Sequence, residues 1–162
     1  MLIKVFCLLW IISSAYCEPR LVCYWLHGNN VDNIDPNLCT HIHFSFAVLD
    51  YNTLHMKFEY GGDESTNKQI NGFKSVNPNL KIILALGGGA DSGGDKYSRM
   101  VATNQTRASF IDHAVEFLKT NKFDGLDLDW EYPGCPQTDC NAGNHADKDN
   151  FALLIKVSIN FK

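Results

Sequence analysis

The stretch FDGLDLDWEYPG, from Phe123 to Gly134, decides how the rest of the chain is interpreted. It is apolar enough to form a buried strand, yet it also contains several acidic side chains. Because side chains alternate between the two faces of a strand, Asp127, Asp129 and Glu131 share one face, and Asp124 lies near the strand start. The opposite face carries the large apolar side chains, namely Leu126, Leu128 and Trp130.

Carboxylates that share one face of a strand are costly, because buried like charges cannot all stay ionised. We therefore expect the pKa of at least one of them to be raised. A strand end whose acids reach solvent is the simplest explanation. The strict alternation with large apolar residues, and the strand-breaking residues 132–134, favour a catalytic site instead. A hard metal cation is a third alternative, disfavoured because no second acidic cluster accompanies the strand.

The composition describes an ordinary single domain. The chain has 162 residues and a net charge of -4, which fits one domain's worth of sequence. This mild acidity, without a basic stripe, does not indicate binding to nucleic acid. No stretch after the N-terminal segment is long and apolar enough to span a membrane. We therefore expect neither nucleic acid nor a membrane as a partner.

The N-terminal segment 1–17 has the pattern of a signal peptide. An apolar run, Val5–Ile12, follows a positive charge, and small residues precede a cleavage position expected after Cys17. The run is too short to cross a bilayer, and a buried N-terminal strand or helix is the alternative. We expect a secreted, extracellular protein, in which Asn104 opens a glycosylation sequon.

The cysteines after residue 17 suggest disulfide bonds, which a secretory route permits. Four remain, and four cysteines allow three pairings. We favour the two pairs that each flank a short segment, Cys23 with Cys39 and Cys135 with Cys140. Zinc bound by Cys135 and Cys140, close to His145, is the alternative.

Apolar strands alternate with helical segments along the chain, which predicts a parallel α/β sheet. Four strands are half of the eight that close a (β/α)8 barrel, and a smaller open sheet is the alternative. The predicted strands span 21–26, 40–49, 80–86 and the acidic stretch. The predicted helices span 65–76, 96–102, 105–120 and 146–161, with a loop at 135–145.

Glycines end the third predicted strand. Gly87, Gly88 and Gly89 allow either a close backbone approach or positive φ. A phosphate cradle is disfavoured, because the spacing matches neither a P-loop nor a dinucleotide motif. The apolar residues expected to face inward on the second strand and the last two helices are Ile42, Phe44, Phe46, Phe110, Ala114, Phe117, Leu118, Phe151, Leu154, Ile155 and Ile159.

The acidic strand resembles the Asp-Gly-x-Asp-x-Asp-x-Glu signature of glycoside hydrolase family 18, the chitinases and their relatives. Segments 22–24, 35–47 and 81–88 resemble the first three strands of that family, in the same order. The resemblance implies a (β/α)8 barrel, of which residues 18–162 look like the N-terminal half, cut after strand four and its helix. The signature positions are occupied by Asp124, Gly125, Asp127, Asp129 and Glu131.

The resemblance implies hydrolysis of β-1,4-linked N-acetylglucosamine polymers, chitin or chitooligosaccharides, by a retaining mechanism in which the substrate's own acetamido oxygen attacks. Glu131 would donate the proton, Asp129 would contact the acetamido N–H, and Asp127 would share a proton with Asp129. No metal or organic cofactor is implied, and a full-length protein is expected to be a monomer. The residues expected to bind the sugar are Tyr24, Phe46, Gly87, Gly88, Trp130 and Tyr132.

Two departures from the family pattern leave an alternative open. Gly89 replaces the tryptophan that often follows the paired glycines, and a tyrosine on strand six and a tryptophan on strand eight are not among these residues. A non-catalytic, sugar-binding chitinase-like protein is therefore the alternative function, although the retained Glu131 argues against it. A half barrel would also leave the edges of strands one and four unpaired.

Overall fold

The computed structural model describes residues 19–136 and 139–158, so the predicted signal peptide and Ile159 lie outside the described residues. One sheet and four α-helices organise this part of the chain. The strands are β1 (Val22–Leu26), β2 (His41–Leu49), β3 (Met56–Phe58), β4 (Lys81–Gly87) and β5 (Gly125–Asp129). The helices are α1 (Asp63–Gly72), α2 (Lys96–Val101), α3 (Asn104–Thr120) and α4 (Asp147–Ser158).

Four of the strands form the parallel sheet that the sequence predicts. They lie in the order β1-β2-β4-β5, and each adjacent pair in that order is parallel. Helix α1 connects β3 to β4, and helices α2 and α3 connect β4 to β5. The sequence prediction misses β3, which pairs antiparallel with the end of β2. Its three residues are too few to show any periodicity.

The two faces of the sheet differ in what covers them. The helix-side face is apolar, and its side chains join those of α1, α2 and α3 in one core. The opposite face carries the polar residues of the strand ends, among them Tyr24, His43 and the acids of β5. The most deeply buried members of the core include Ile42, Phe44, Ile82, Leu84, Leu86, Ile70, Met100 and Phe110.

Two expectations about inward-facing residues are wrong. The parallel pairing of β2 with β4 shifts register between Ser45 and Ala47, so Phe46 leaves the row formed by Ile42 and Phe44. Ile155 is 36% exposed because it faces an apolar groove between α3 and β5 that no described segment fills.

The helix predicted at 65–76 begins two residues earlier, at Asp63, and its last turn is a 3-10 turn, Phe73–Ser75.

Both predicted disulfides are confirmed. Cys23 is bonded to Cys39, and Cys135 is bonded to Cys140. The zinc alternative is wrong, because the second disulfide uses both of the sulfurs that it required. Nowhere in the described ranges do three or more potential metal-ligating side chains cluster. None of the helices in the described ranges is both long and apolar enough to cross a membrane.

Candidate functional site

The acids of the sequence signature meet at the C-terminal end of the parallel sheet. Asp127 and Asp129 lie on β5, in register with Ala85 and Gly87 of β4, and Glu131 follows two residues beyond the strand. In parallel α/β folds this end of the sheet carries the active site. The strand therefore delivers all three carboxyl groups to the edge where substrates bind.

Asp127 connects three strands through a single oxygen atom. Its Oδ2 accepts a hydrogen bond from the Tyr24 hydroxyl at 2.8 Å and lies 2.9 Å from Nδ1 of His43. The rings of Tyr24 and His43 are themselves 4.7 Å apart. Tyr24 was predicted from the sequence to line the site, whereas His43 was not. Alternation on β2 could have identified it, because His43 lies between the buried residues Ile42 and Phe44 and must face the acids.

Asp129 is the acid of the signature whose pKa is raised. Burial raises its pKa, and the negative charges of Asp127 and Glu131 raise it further. This agrees with the expectation that carboxylates on one face cannot all ionise. The hydrogen bond to Asp127, followed by burial and the nearby negative charges, raises the pKa of Tyr24 to about 12. The Tyr24 hydroxyl therefore stays protonated and keeps donating at neutral pH.

The paired glycines, Gly87 and Gly88, pack against the backbone of Asp129. The Gly88 N–H donates to the Asp129 carbonyl at 2.7 Å. A Cβ on residue 87 would lie 2.5 Å from that carbonyl oxygen, and one on residue 88 would lie 3.2 Å from the Phe46 ring. Both glycines also have positive φ. Close backbone approach and positive φ therefore both apply to Gly87 and Gly88. The Phe46 ring packs over Gly88.

A buried serine fixes the backbone at Glu131. The Glu131 N–H donates to Oγ of Ser92 at 2.8 Å, and Ser92 is completely buried. Nothing in the sequence marks Ser92, which lies in a glycine-bearing segment typical of an ordinary loop. Its contact shows that the loop after β4 positions the residue that carries the candidate proton donor.

Trp130 lies on the other side of the strand from the acids. It is 6% exposed, stacks on Tyr97 at 5.5 Å and meets the edge of Phe151 at 5.7 Å. It follows Asp129 by one residue, so strand alternation turns it toward the helices. The expectation that Trp130 contacts a sugar is therefore wrong, because its ring is buried in the core beneath the site.

The loop that carries Ser92 is anchored by a buried charge cluster. Asp91 accepts hydrogen bonds from the Tyr97 hydroxyl at 2.6 Å and from the Leu49 N–H at 3.0 Å. Lys96 forms an ion pair with Asp91, and its Nζ also donates to the Leu49 carbonyl at 3.1 Å. The cluster thus ties the loop to the end of β2, and Tyr97 in turn supports Trp130.

The segment after Glu131 is anchored in a similar way. Asp147 is buried, and its Oδ2 accepts from Ser98 at 2.7 Å, from the Asn144 N–H at 2.9 Å and from the Gly134 N–H at 3.2 Å. Tyr132, which follows Glu131, is 57% exposed, and Tyr24 is 52% exposed. Both rings therefore remain available for contact with a sugar.

Asn104, the residue of the predicted glycosylation sequon, occupies the first position of α3. Its residue is exposed, and its Oδ1 accepts a hydrogen bond from the buried Arg107. The Thr106 hydroxyl of the same sequon takes part in a capping box with Thr103. The sequon therefore forms the N-terminal turn of the helix.

Comparisons with known proteins identify the family to which this chain belongs. The family model described as glycosyl hydrolases family 18 matches residues 20–159. The chain is 44% identical over 128 residues to probable chitinase 10 of Drosophila melanogaster, covering 77% of this chain and 6% of that protein. It is 43% identical over 146 residues to chitotriosidase-1 of Mus musculus, covering 85% of this chain and 30% of that protein. The chain thus spans less than a third of either relative.

A solved structure shares the fold. Catalytic domain 2 of the Ostrinia furnacalis group II chitinase superposes with a TM-score of 0.79 and 42% identity, covering 86% of this chain and 39% of that one. A mutant of the same domain has been solved in complex with penta-N-acetylchitooctaose. The α/β fold predicted from the sequence is confirmed, and the described residues correspond to part of a barrel.

Proposed function

This chain belongs to glycosyl hydrolase family 18, and we propose that it carries the catalytic acids of a chitinase-type active site. Such a site cleaves β-1,4-linked N-acetylglucosamine polymers. The observation that carries this proposal is the set Asp127, Asp129 and Glu131 at the end of the parallel sheet, with the pKa of Asp129 raised by burial and by its two neighbours. An acid with a raised pKa, close to two further carboxyl groups, lets the cluster share a proton, and general acid catalysis needs a proton positioned in this way.

Glu131 is the proton donor in the proposed mechanism. The leaving sugar departs when Glu131 protonates the glycosidic oxygen, while the substrate's acetamido oxygen attacks the anomeric carbon, as in other substrate-assisted glycosidases. The hydrogen bond from the Glu131 N–H to Ser92 supports this role, because it fixes the backbone from which the carboxyl group extends. Glu131 then accepts a proton from the water that resolves the cyclic intermediate.

Asp129 and Asp127 orient and stabilise the acetamido group. Asp129 contacts the acetamido N–H and offsets the positive charge that develops on the cyclic intermediate. Asp127 shares the acidic proton with Asp129, and its Oδ2 is held by Tyr24 and His43. Gly87 and Gly88 contribute by fixing the Asp129 backbone, and the exposed rings of Tyr24 and Tyr132 contact the sugar.

The test is a turnover assay on fluorogenic chitooligomers, with the wild-type protein as reference. Glu131→Gln should lower turnover by about 10²- to 10⁴-fold and leave oligomer binding nearly unchanged. Glu64→Gln is the matched control, because Glu64 is an exposed glutamate on α1. Near-normal turnover by Glu131→Gln would refute the assignment of the proton donor.

A non-catalytic, chitooligosaccharide-binding function is the second candidate, favoured by Gly89 in place of an aromatic platform. Measurable oligomer binding by the wild-type protein, with no turnover even at high enzyme concentration, would support this candidate. The same result would exclude the hydrolase.

A further inference from the structure

We propose that His43 is a positioning residue of this site, which holds Asp127 in place and makes the charge of the acid cluster depend on imidazole protonation. The catalytic meaning of this proposal rests on the proposed function, whereas its titration behaviour does not require turnover.

The contact itself defines the direction of the hydrogen bond. His43 Nδ1 lies 2.9 Å from Asp127 Oδ2, and the two side chains are 14% and 25% exposed. A carboxylate oxygen can only accept, so Nδ1 carries a proton in both the neutral and the charged imidazole. The same Oδ2 accepts from the Tyr24 hydroxyl at 2.8 Å. Two donors from neighbouring strands therefore fix the orientation of Asp127 at any pH above the titration of the acids.

Among the titratable groups around His43, Asp127 is the acid that contacts its ring directly. Strand β1 contributes Tyr24, whose ring is 4.7 Å away, and β5 contributes Asp127, with Asp129 beyond it. The neighbour on β4 is Ile83, which is uncharged. On β2 itself, His41 lies two residues away. Burial lowers the pKa of His41, as do the charges of Arg20, His43 and Lys81, whereas Asp124 acts in the opposite direction.

Protonation of His43 changes charge without breaking the contact. Imidazole is the side chain that normally gains charge between about pH 5 and 8. An imidazolium next to Asp127 adds a positive charge beside the cluster, and this charge opposes proton uptake by the acids. Burial, followed by the charges of Asp127 and Glu131, raises the pKa of Asp129. A positive charge on His43 would oppose this rise, because it favours the ionised form of a nearby carboxyl group.

The test is an NMR comparison of the two imidazoles in the full chain, with the wild type as reference. Asp127→Asn should change the ring nitrogen chemical shifts of His43, because it replaces the carboxylate oxygen that Nδ1 contacts. The ring shifts of His41 should change much less. Asp124→Asn is the matched control, because Asp124 acts on His41, and it should shift His41 and leave His43 in place.

A second variant measures the effect on the acids. His43→Gln retains an N–H donor but loses the charge, so the Asp129 carboxyl should titrate at higher pH than in the wild type, with no shift of the Asp124 carboxyl. Unchanged His43 ring shifts in Asp127→Asn, or an unchanged Asp129 midpoint in His43→Gln, would overturn the proposal. Neither reading depends on hydrolysis, so a chain without turnover would refute the proposed function alone.

Discussion

Gly87 lies against the backbone of Asp129 so closely that a Cβ on residue 87 would come within 2.5 Å of the Asp129 carbonyl oxygen. Gly87 also has a φ of +115°, which a side chain rarely tolerates. Gly87→Ala should therefore cost about 2–4 kcal/mol of unfolding free energy and displace β5. Denaturant unfolding of the variant and the wild type, monitored by circular dichroism, measures this loss of unfolding free energy.

Gly94→Ala is the control that separates backbone strain from the clash. Gly94 has a φ of +74°, yet nothing lies within 4 Å of the Cβ that alanine would add. Its expected cost is about 1 kcal/mol, from the unfavourable φ alone. If Gly87→Ala lowered the unfolding free energy no more than Gly94→Ala does, the close packing of Gly87 on Asp129 would not contribute to stability.

The sequence predicted the parallel strands and the acids because both depend on local patterns. Alternation and apolar runs identify strands, and the spacing of Asp127, Asp129 and Glu131 places their carboxyl groups together. The same rule already placed Trp130 on the opposite face, so its assignment to the sugar site conflicted with the pattern, and its burial against Tyr97 decides the question.

What the sequence could not show depends on contacts between distant segments. The register shift that removes Phe46 from its row is set by how β2 meets β4, not by the composition of β2. Ser92 and Asp91 lie in a polar loop, and only the fold brings them to Glu131 and Leu49. Each of these contacts joins residues about 40 positions apart, where periodicity carries no information.

The buried cluster of Asp91, Lys96 and Tyr97 should contribute more to stability than surface ion pairs. Asp91→Ala leaves the Lys96 ammonium, whose side chain is 13% exposed, without its carboxylate partner. Removing one member of such a pair typically costs about 3–5 kcal/mol. Urea unfolding at neutral pH measures the loss, and oligomer binding should weaken as well, because the loop also holds Ser92.

Glu64→Ala is the comparison for the cluster. Glu64 pairs with Lys68 on the surface of α1, and both side chains are more than half exposed. Breaking this pair should change the unfolding free energy by less than about 0.5 kcal/mol. Equal losses for Asp91→Ala and Glu64→Ala would show that the buried cluster does not anchor the loop.

The two disulfides should differ in what they contribute, because they close loops of different length. Cys23 and Cys39 are 16 residues apart and connect β1 to the start of β2, whereas Cys135 and Cys140 are 5 residues apart. Chain-entropy arguments give about 3 kcal/mol for the first and about 2 kcal/mol for the second. Paired cysteine-to-serine variants, compared by guanidinium unfolding, measure both. A larger loss from the shorter loop would contradict this ordering.

Asp129→Asn should make the chain more stable at neutral pH even though it removes a residue of the site. Burial raises the pKa of Asp129, and the charges of Asp127 and Glu131 add to this. The folded state therefore holds this proton to higher pH than the unfolded chain does. Stability accordingly falls as the pH rises from the unfolded value of about 4 through the folded pKa.

Asparagine cannot ionise, so the stabilisation in Asp129→Asn should develop above about pH 4 and vanish below it. Urea unfolding of the variant and the wild type across this range measures the difference. Asp112→Asn serves as the control, because Asp112 is exposed on α3 and distant in sequence from the acids. A stability gain that was the same at low and neutral pH would show that lost charge repulsion is not its cause. A loss at neutral pH would show that Asp129 makes stabilising contacts as a carboxylate, and the site would then not be under electrostatic strain.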